Sequence, residues 1–296
     1  MSVASSEPQR SPDSAVPARS PDQPSVLDID ASCRVPVVFM LGSSLKWLVF
    51  ALVLGAVASI KLHAPGFLSS YEFLTYGRAK PAFNNALLFG FAAQAGLAVS
   101  IWMLARLGRA RAVAPFVMTL ASWVWNVGLA IGVVGIFMGD ATGYEWLELP
   151  GYATPVLFVS ALTLSVAMIL TFRDRTESEL YPSQWYILAA LFWFPWVYSS
   201  AQLLLVFGSV RGVLQSVVAG WAAHNLVSVW LTSMGLATLL YFLPKLSGQP
   251  LHSRGLAVFA FWMLVGVGGL GGVPLGTPAP PEAADPAIFH SSRSTR

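Results

Sequence analysis

The fold class of this chain is decided by an uncharged run at residues 115–138, PFVMTLASWVWNVGLAIGVVGIFM. The run holds no Asp, Glu, Lys or Arg, and a helix of its 24 residues rises about 36 Å. That length crosses the hydrocarbon core of a bilayer, which is about 30 Å thick. The run also lacks the apolar–polar alternation of a membrane β-strand. It therefore predicts a transmembrane helix.

Similar apolar runs lie on both sides of this one, at 36–60, 83–106, 153–172, 184–207, 214–243 and 256–275. The sequence thus predicts an all-α, polytopic membrane helix bundle of about seven transmembrane helices within residues 35–275. Residues 1–34 are rich in Ser and Pro and predict a disordered cytoplasmic tail, because such a segment buries too little apolar surface to order itself. Residues 276–296 predict an irregular C-terminal tail.

Composition supports the bilayer as the main partner. The 296 residues are 55% hydrophobic and 10% charged, against about 25% charged in soluble domains, and the mean hydropathy is +0.64. Seventeen Lys and Arg face 14 Asp and Glu without a basic run, which excludes nucleic acid as a partner. Cys33 is the sole cysteine, so a disulfide framework and a CxxC site are excluded.

Positive charge in the joints predicts the orientation in the membrane. Cytoplasmic joints carry an excess of Lys and Arg. Eight such residues fall on the N-terminal side and four on the other: Arg34, Arg106, Arg109, Arg111, Arg173, Arg175, Lys245 and Arg254 against Lys61, Arg78, Lys80 and Arg211. The N-terminus is therefore expected in the cytoplasm.

Two ionisable side chains fall inside the runs, Lys46 and His224, and no carboxylate does. Ionisable groups in hydrocarbon are costly and therefore functional candidates. Lys46 is interpreted as a side chain that snorkels or pairs with a polar group. On a helical wheel His224 lies on a small and polar face together with Trp221, Asn225, Ser228, Thr232 and Gly235. His224 is either a metal or haem ligand or a buried histidine bonded to a neighbouring helix.

A glycine pattern near the end of the bundle resembles a nucleotide fingerprint. Gly266, Gly268 and Gly271 match G-x-G-x-x-G, but that motif needs a preceding strand in a βαβ unit. Here it lies in an apolar run. Gly268 and Gly272 instead form G-x-x-x-G, which predicts a surface for close helix contact.

Two stretches carry a family resemblance. The first is FLTYGR at 73–78, followed by Pro81, Asn85 and FGF at 89–91. The second is His224-Asn225, YFLPK at 241–245, and then Pro250, Ser253 and Phe261-Trp262. In order and spacing they resemble subunit I of the haem–copper oxidases, specifically the cbb3-type catalytic subunit. The resemblance implies haem and copper, cytochrome c oxidase activity in respiratory electron transport, other respiratory subunits as partners, and a bacterial inner (plasma) membrane.

The resemblance also implies a metal-ligand set, from which this chain departs. Phe83 stands where the family has a histidine ligand of low-spin haem, and Pro274-Leu275 stands where it has two copper ligands. Gly268 matches the family's cross-linked tyrosine. His224 matches one copper ligand and is the single metal-site candidate. No catalytic or cofactor-binding residue is therefore assigned, and neither haem nor copper is expected to be bound fully by this chain.

Three functions follow from these observations. The first is a degenerate oxidase subunit I-like protein, a pseudoenzyme without catalysis of its own. The second is a genuine oxidase subunit whose sequence is truncated. The third is a small-molecule transporter or channel, a class that usually shows internal repeats around a midplane site.

Overall fold

The computed structural model describes residues 24–208 and 210–272. These residues form helices and connecting turns, with no strand among them. Six helices are long and apolar enough to span a membrane: α1 Val26–His63, α2 Tyr76–Gly108, α3 Pro115–Met138, α4 Thr154–Arg173, α5 Pro182–Phe207 and α6 Val213–Ser247. A shorter apolar helix, α7, covers Arg254–Gly266 and is followed by a 3₁₀ turn at Gly268–Leu270. The all-helical membrane bundle is thus confirmed, with six long helices and one short one.

The first helix begins before the predicted start of the bundle at residue 35, so that residues 26–34, which the sequence assigned to the tail, lie in α1. A capping box starts it, in which Ser25 Oγ accepts from the Asp28 N–H and the Asp28 carboxylate accepts from the Ser25 N–H. Asp30 then pairs with Arg106 of α2 at 3.0 Å, and Trp102 Nε1 donates to Asp30 at 3.0 Å. These polar contacts extend α1 beyond its apolar run. Residues 1–23 and 273–296, including Pro274-Leu275, lie outside the described residues.

An aromatic cluster fills the centre of the bundle, where α2, α3, α5 and α6 meet. Phe194 of α5 stacks on Tyr198 with ring centroids 4.9 Å apart and contacts Trp230 of α6 at 4.4 Å. Trp125 of α3 and Phe89 of α2 close the cluster. All five side chains are buried. Such rings bury large apolar areas, so this cluster fixes how the four helices pack.

Among the described residues, π-helical segments interrupt α2 at Ala86–Ala92 and α6 at Asn225–Leu231, and a third, Gln202–Phe207, ends α5. A π segment changes the rotation of the side chains that follow it. In α6 the face predicted from a regular wheel is therefore divided. Asn225 is buried in the bundle, whereas Thr232 and Gly235 are exposed and Ser233 is buried in their place.

Candidate functional site

His224 lies at the end of the α-helical part of α6, directly before the π segment. Its Nε2–H donates to the Gly268 carbonyl at 3.1 Å, because a carbonyl can only accept. A Cβ added at Gly271 would lie 2.5 Å from that Nε2 atom, so the backbone after α7 lies directly against the imidazole ring. The ring nitrogen that faces this backbone is therefore occupied by a hydrogen bond within the chain.

Neighbouring side chains hold the same backbone segment. Trp221 Nε1 and Asn225 Nδ2 both donate to the Gly269 carbonyl, at 3.1 and 3.2 Å. Trp193 of α5 donates to Asn225 Oδ1 at 3.0 Å, and its ring lies 2.7 Å from where a Cβ of Gly269 would stand. Only glycine fits there. The glycine segment that was predicted as a contact surface therefore packs closely against α6, and it does so as a 3₁₀ turn.

Phe83 lies in the first part of α2 and packs against α1. A Cβ added at Gly55 would lie 3.0 Å from Phe83 Cδ2 and Cε2, so the ring rests on a helix surface that carries no side chain. The Phe83 ring offers only carbon atoms and cannot coordinate iron. Within residues 24–208 and 210–272, no group of three or more His, Cys, Asp and Glu side chains could hold a metal ion.

These observations do not fit the haem and copper that the resemblance implies. The resemblance implies imidazole ligands for haem iron, and a copper site of the histidine type needs several converging nitrogens. Phe83 supplies no such nitrogen, and the Nε2 atom of His224 bonds to a backbone carbonyl.

The two residues after Phe83 form a buried polar site with a carboxylate. Asn84 Nδ2 donates to Glu148 Oε1 and Asn85 Nδ2 donates to Glu148 Oε2, each at 2.9 Å. Glu148 lies in the joint between α3 and α4 and is 5% exposed. Burial raises the pKa of its carboxyl above the ordinary value, and the hydrogen bonds from Asn84 and Asn85 oppose that shift.

The Glu148 carboxylate lines a cleft of about 610 Å³ at the end of the bundle. Arg78 and Lys80, at the start of α2, lie on its wall together with Glu145. Lys80 and Glu145 form an ion pair at 3.6 Å, with both side chains largely exposed. On the buried side, Asn85 Oδ1 has no hydrogen-bond partner among the described residues. The cleft is therefore a polar entrance that leads from charged side chains to one buried carboxylate.

The burial of Glu148 was not predicted from the sequence, in which no carboxylate falls inside an apolar run. The local signal is the isolated carboxylate in Leu147-Glu148-Leu149-Pro150, because a single charge between apolar residues is typical of a buried position with a partner. Its partners, Asn84 and Asn85, are more than sixty residues away. Nothing in the spacing of the sequence connects them.

Comparison with known proteins decides the family. Residues 35–273 match the model of the cytochrome c and quinol oxidase polypeptide I family. The chain belongs to this family. The resemblance read from the sequence motifs is thereby confirmed, and so is the fold class that it implied.

Curated relatives agree with this assignment. The chain is 26% identical over 230 residues to a cytochrome c oxidase subunit 1 homolog of Azorhizobium caulinodans, covering 74% of this chain and 41% of the relative. It is 25% identical over 236 residues to cytochrome c oxidase subunit 1 of Rhodobacter capsulatus, with 74% and 43% covered. It is 22% identical over 227 residues to the cbb3-type subunit CcoN1 of Stutzerimonas stutzeri, with 75% and 48% covered. The chain thus spans less than half the length of these relatives.

Proposed function

We propose that this chain is a non-catalytic member of the oxidase subunit I family, a helix bundle that acts beside respiratory membrane subunits. The observation that carries the proposal is Phe83, which stands where the family resemblance assigns a haem-ligand histidine. Its ring is seated on Gly55 of α1. At this position the contact with α1 is a packing contact between carbon atoms.

The surroundings of His224 support the same proposal. The resemblance matches this residue to a copper ligand, yet its Nε2–H donates to the Gly268 carbonyl. Gly268 itself matches the family's cross-linked tyrosine. Two positions that the resemblance assigns to metal chemistry are therefore joined by a hydrogen bond that holds the segment after α7 against α6.

The location is part of the proposal. The relatives are bacterial proteins, and the excess of Lys and Arg favours a cytoplasmic N-terminus. We therefore place the chain in a bacterial inner membrane with the start of α1 in the cytoplasm. The ion pairs Asp30–Arg106, Arg109–Glu177 and Arg254–Glu179 would then lie at the cytoplasmic end.

An absorption spectrum and metal analysis of the purified chain test the proposal. We expect no Soret band and only traces of iron and copper. Stoichiometric haem and copper, with the copper lost in a His224→Ala variant, would overturn the proposal and favour the alternative, a genuine oxidase subunit.

Thermal unfolding of two His224 variants provides a matched control. A Gln side chain can donate to the Gly268 carbonyl as His224 does, whereas Ala cannot. If His224 holds backbone, His224→Gln retains more of the wild-type unfolding temperature than His224→Ala. Equal losses in both variants would contradict the structural role.

A further inference from the structure

The first helix presents an apolar face that no part of the described chain covers. On this face Val38, Leu45, Val49 and Val53 are each about 60% exposed. Gly42 lies among them, and a Cβ added there would meet no atom within 4 Å. Valine side chains have one preferred rotamer in a helix, so they lose little entropy in a contact. We call the residues Val38, Gly42, Leu45, Lys46, Val49 and Val53 the outer face of α1.

Lys46 lies on this outer face and is exposed. Its direction is fixed by the next residue, because Trp47 turns inward and its Nε1 donates to Asn126 of α3 at 2.8 Å. Successive residues of a helix are separated by about 100°. Lys46 therefore cannot turn into the bundle without breaking the contact that Trp47 makes.

The depth of Lys46 is close to the middle of the span. It lies 12 residues after Arg34 and 15 before Lys61, which correspond to about 18 and 22 Å along the helix axis. Asp30 marks the polar level at one end through its ion pair with Arg106. At the other end, Lys61 Nζ donates to the Phe67 carbonyl. Both distances exceed the reach of a lysine side chain, so snorkelling does not carry the ammonium to either level.

Within residues 24–208 and 210–272, no carboxylate pairs with Lys46. The salt bridges involve other cations. The acidic side chains of this part of the chain all lie near helix ends or in joints, at Asp28, Asp30, Glu72, Asp140, Glu145, Glu148, Asp174, Glu177 and Glu179. A cation in hydrocarbon is costly unless it is paired, so the partner charge has to come from outside these residues.

We propose that the outer face of α1 binds a transmembrane helix of a different protein that carries an Asp or Glu at the depth of Lys46. The carboxylate neutralises the ammonium, and Gly42 lets the two backbones approach closely. A second copy of this chain is the wrong occupant, because a two-fold contact through this face would place two Lys46 ammonium groups side by side. The surface deepens the non-catalytic role proposed above and rests on it for the expectation of a partner subunit.

Association with synthetic transmembrane peptides tests the surface. The full chain is reconstituted in phosphatidylcholine vesicles with a Leu/Ala peptide that has one central Glu and a dansyl group. Binding is followed as energy transfer from the chain's tryptophans, of which Trp47 belongs to α1 itself and Trp123 stacks on Phe39 of α1. Matched peptides carry Gln or Leu at the centre.

We expect the Glu peptide to associate about tenfold more tightly than the Leu peptide. Lys46→Met abolishes this preference, and Gly42→Leu weakens binding of every peptide. Lys46→Glu transfers the preference to a peptide with a central Lys, which shows that the variant is folded. Lys80→Met, which removes an exposed cation at the end of the bundle, leaves the preference unchanged.

Three results would overturn the proposal. Equal binding of the Glu and Leu peptides, or a preference that persists in Lys46→Met, would mean that Lys46 recognises no carboxylate. Energy transfer between two labelled copies of the chain that is lost in Gly42→Leu would identify a second copy as the occupant. None of these results depends on the absorption spectrum, so failure of this surface is distinguishable from failure of the proposed function.

Discussion

Replacing Glu148 by Ala removes the acceptor of two buried amide groups. Asn84 Nδ2 donates to Glu148 at 2.9 Å and would be left without that partner. Asn85 Nδ2 would lose one bond but keep its contact with the Pro81 carbonyl at 2.8 Å. A buried donor without an acceptor costs about 1–3 kcal/mol, and removal of the carboxylate relieves part of its own desolvation cost. We therefore expect a loss of about 2 kcal/mol in the free energy of unfolding.

Unfolding in detergent micelles by titration with sodium dodecyl sulfate, followed by tryptophan fluorescence, measures this loss. Glu145→Ala is the matched control, because Glu145 lies three residues away in the same joint and its ion pair with Lys80 is exposed. Exposed pairs contribute little, so we expect this control to change stability by less than about 0.5 kcal/mol. Equal effects of the two substitutions would refute the reasoning that the Asn84 and Asn85 amides depend on Glu148.

Three further predictions concern the titration of Glu148 and the contacts of Trp47 with Gly90 and Asn126. Burial raises the pKa of the Glu148 carboxyl, so its stabilising contribution is complete below the unfolded-state pKa near 4.5 and is lost as pH rises through the higher folded-state pKa. The difference in free energy of unfolding between wild type and Glu148→Gln should therefore fall as pH increases. A difference that stays constant with pH would contradict this. Gly90→Ala should lower the free energy of unfolding by about 1–3 kcal/mol, because its Cβ would lie 2.6 Å from Trp47 Cβ and Cγ. The control Gly235→Ala places its Cβ in open space and should not lower stability. Equal unfolding midpoints of the two variants would refute this. Asn126→Leu should cost about 2 kcal/mol, because Trp47 Nε1 loses its acceptor; a loss below about 0.5 kcal/mol would show that another acceptor replaces it.

Apolar runs predicted the positions of the helices well, and polar contacts explain where they failed. The run at 115–138 coincides with α3, because Pro115 and Gly139 mark the ends of an uncharged segment. The start of α1 was placed too late, because residues 26–34 are held by Asp28 and Asp30 through Arg111 and Arg106. Hydropathy records transfer into hydrocarbon and carries no information on such pairs.

The candidate site was less predictable because it depends on the rotation of α6 and on contacts between distant residues. A regular wheel placed His224 and Asn225 on one face with Thr232 and Gly235, and the π segment separates these pairs. The partner of His224 is a backbone carbonyl 44 residues away, which no side-chain pattern indicates. Lys46 was expected to snorkel or pair with a polar group. Its exposure on the outer face of α1 could not be predicted without the direction of the neighbouring Trp47 side chain, which points into the bundle.

The π segments also determine where the chain tolerates a change in length. Deleting one residue within Asn225–Leu231 allows α6 to return to regular winding. Deleting one residue from the regular helix after Ser233 would rotate every later side chain by about 100° and expose residues such as Ala237, which is buried. The same reasoning applies to Ala86–Ala92, which is followed by regular helix in α2. Single-residue insertions and deletions that separate this bundle from its relatives are therefore expected to concentrate in these two segments, while the regular parts of α2 and α6 keep their length.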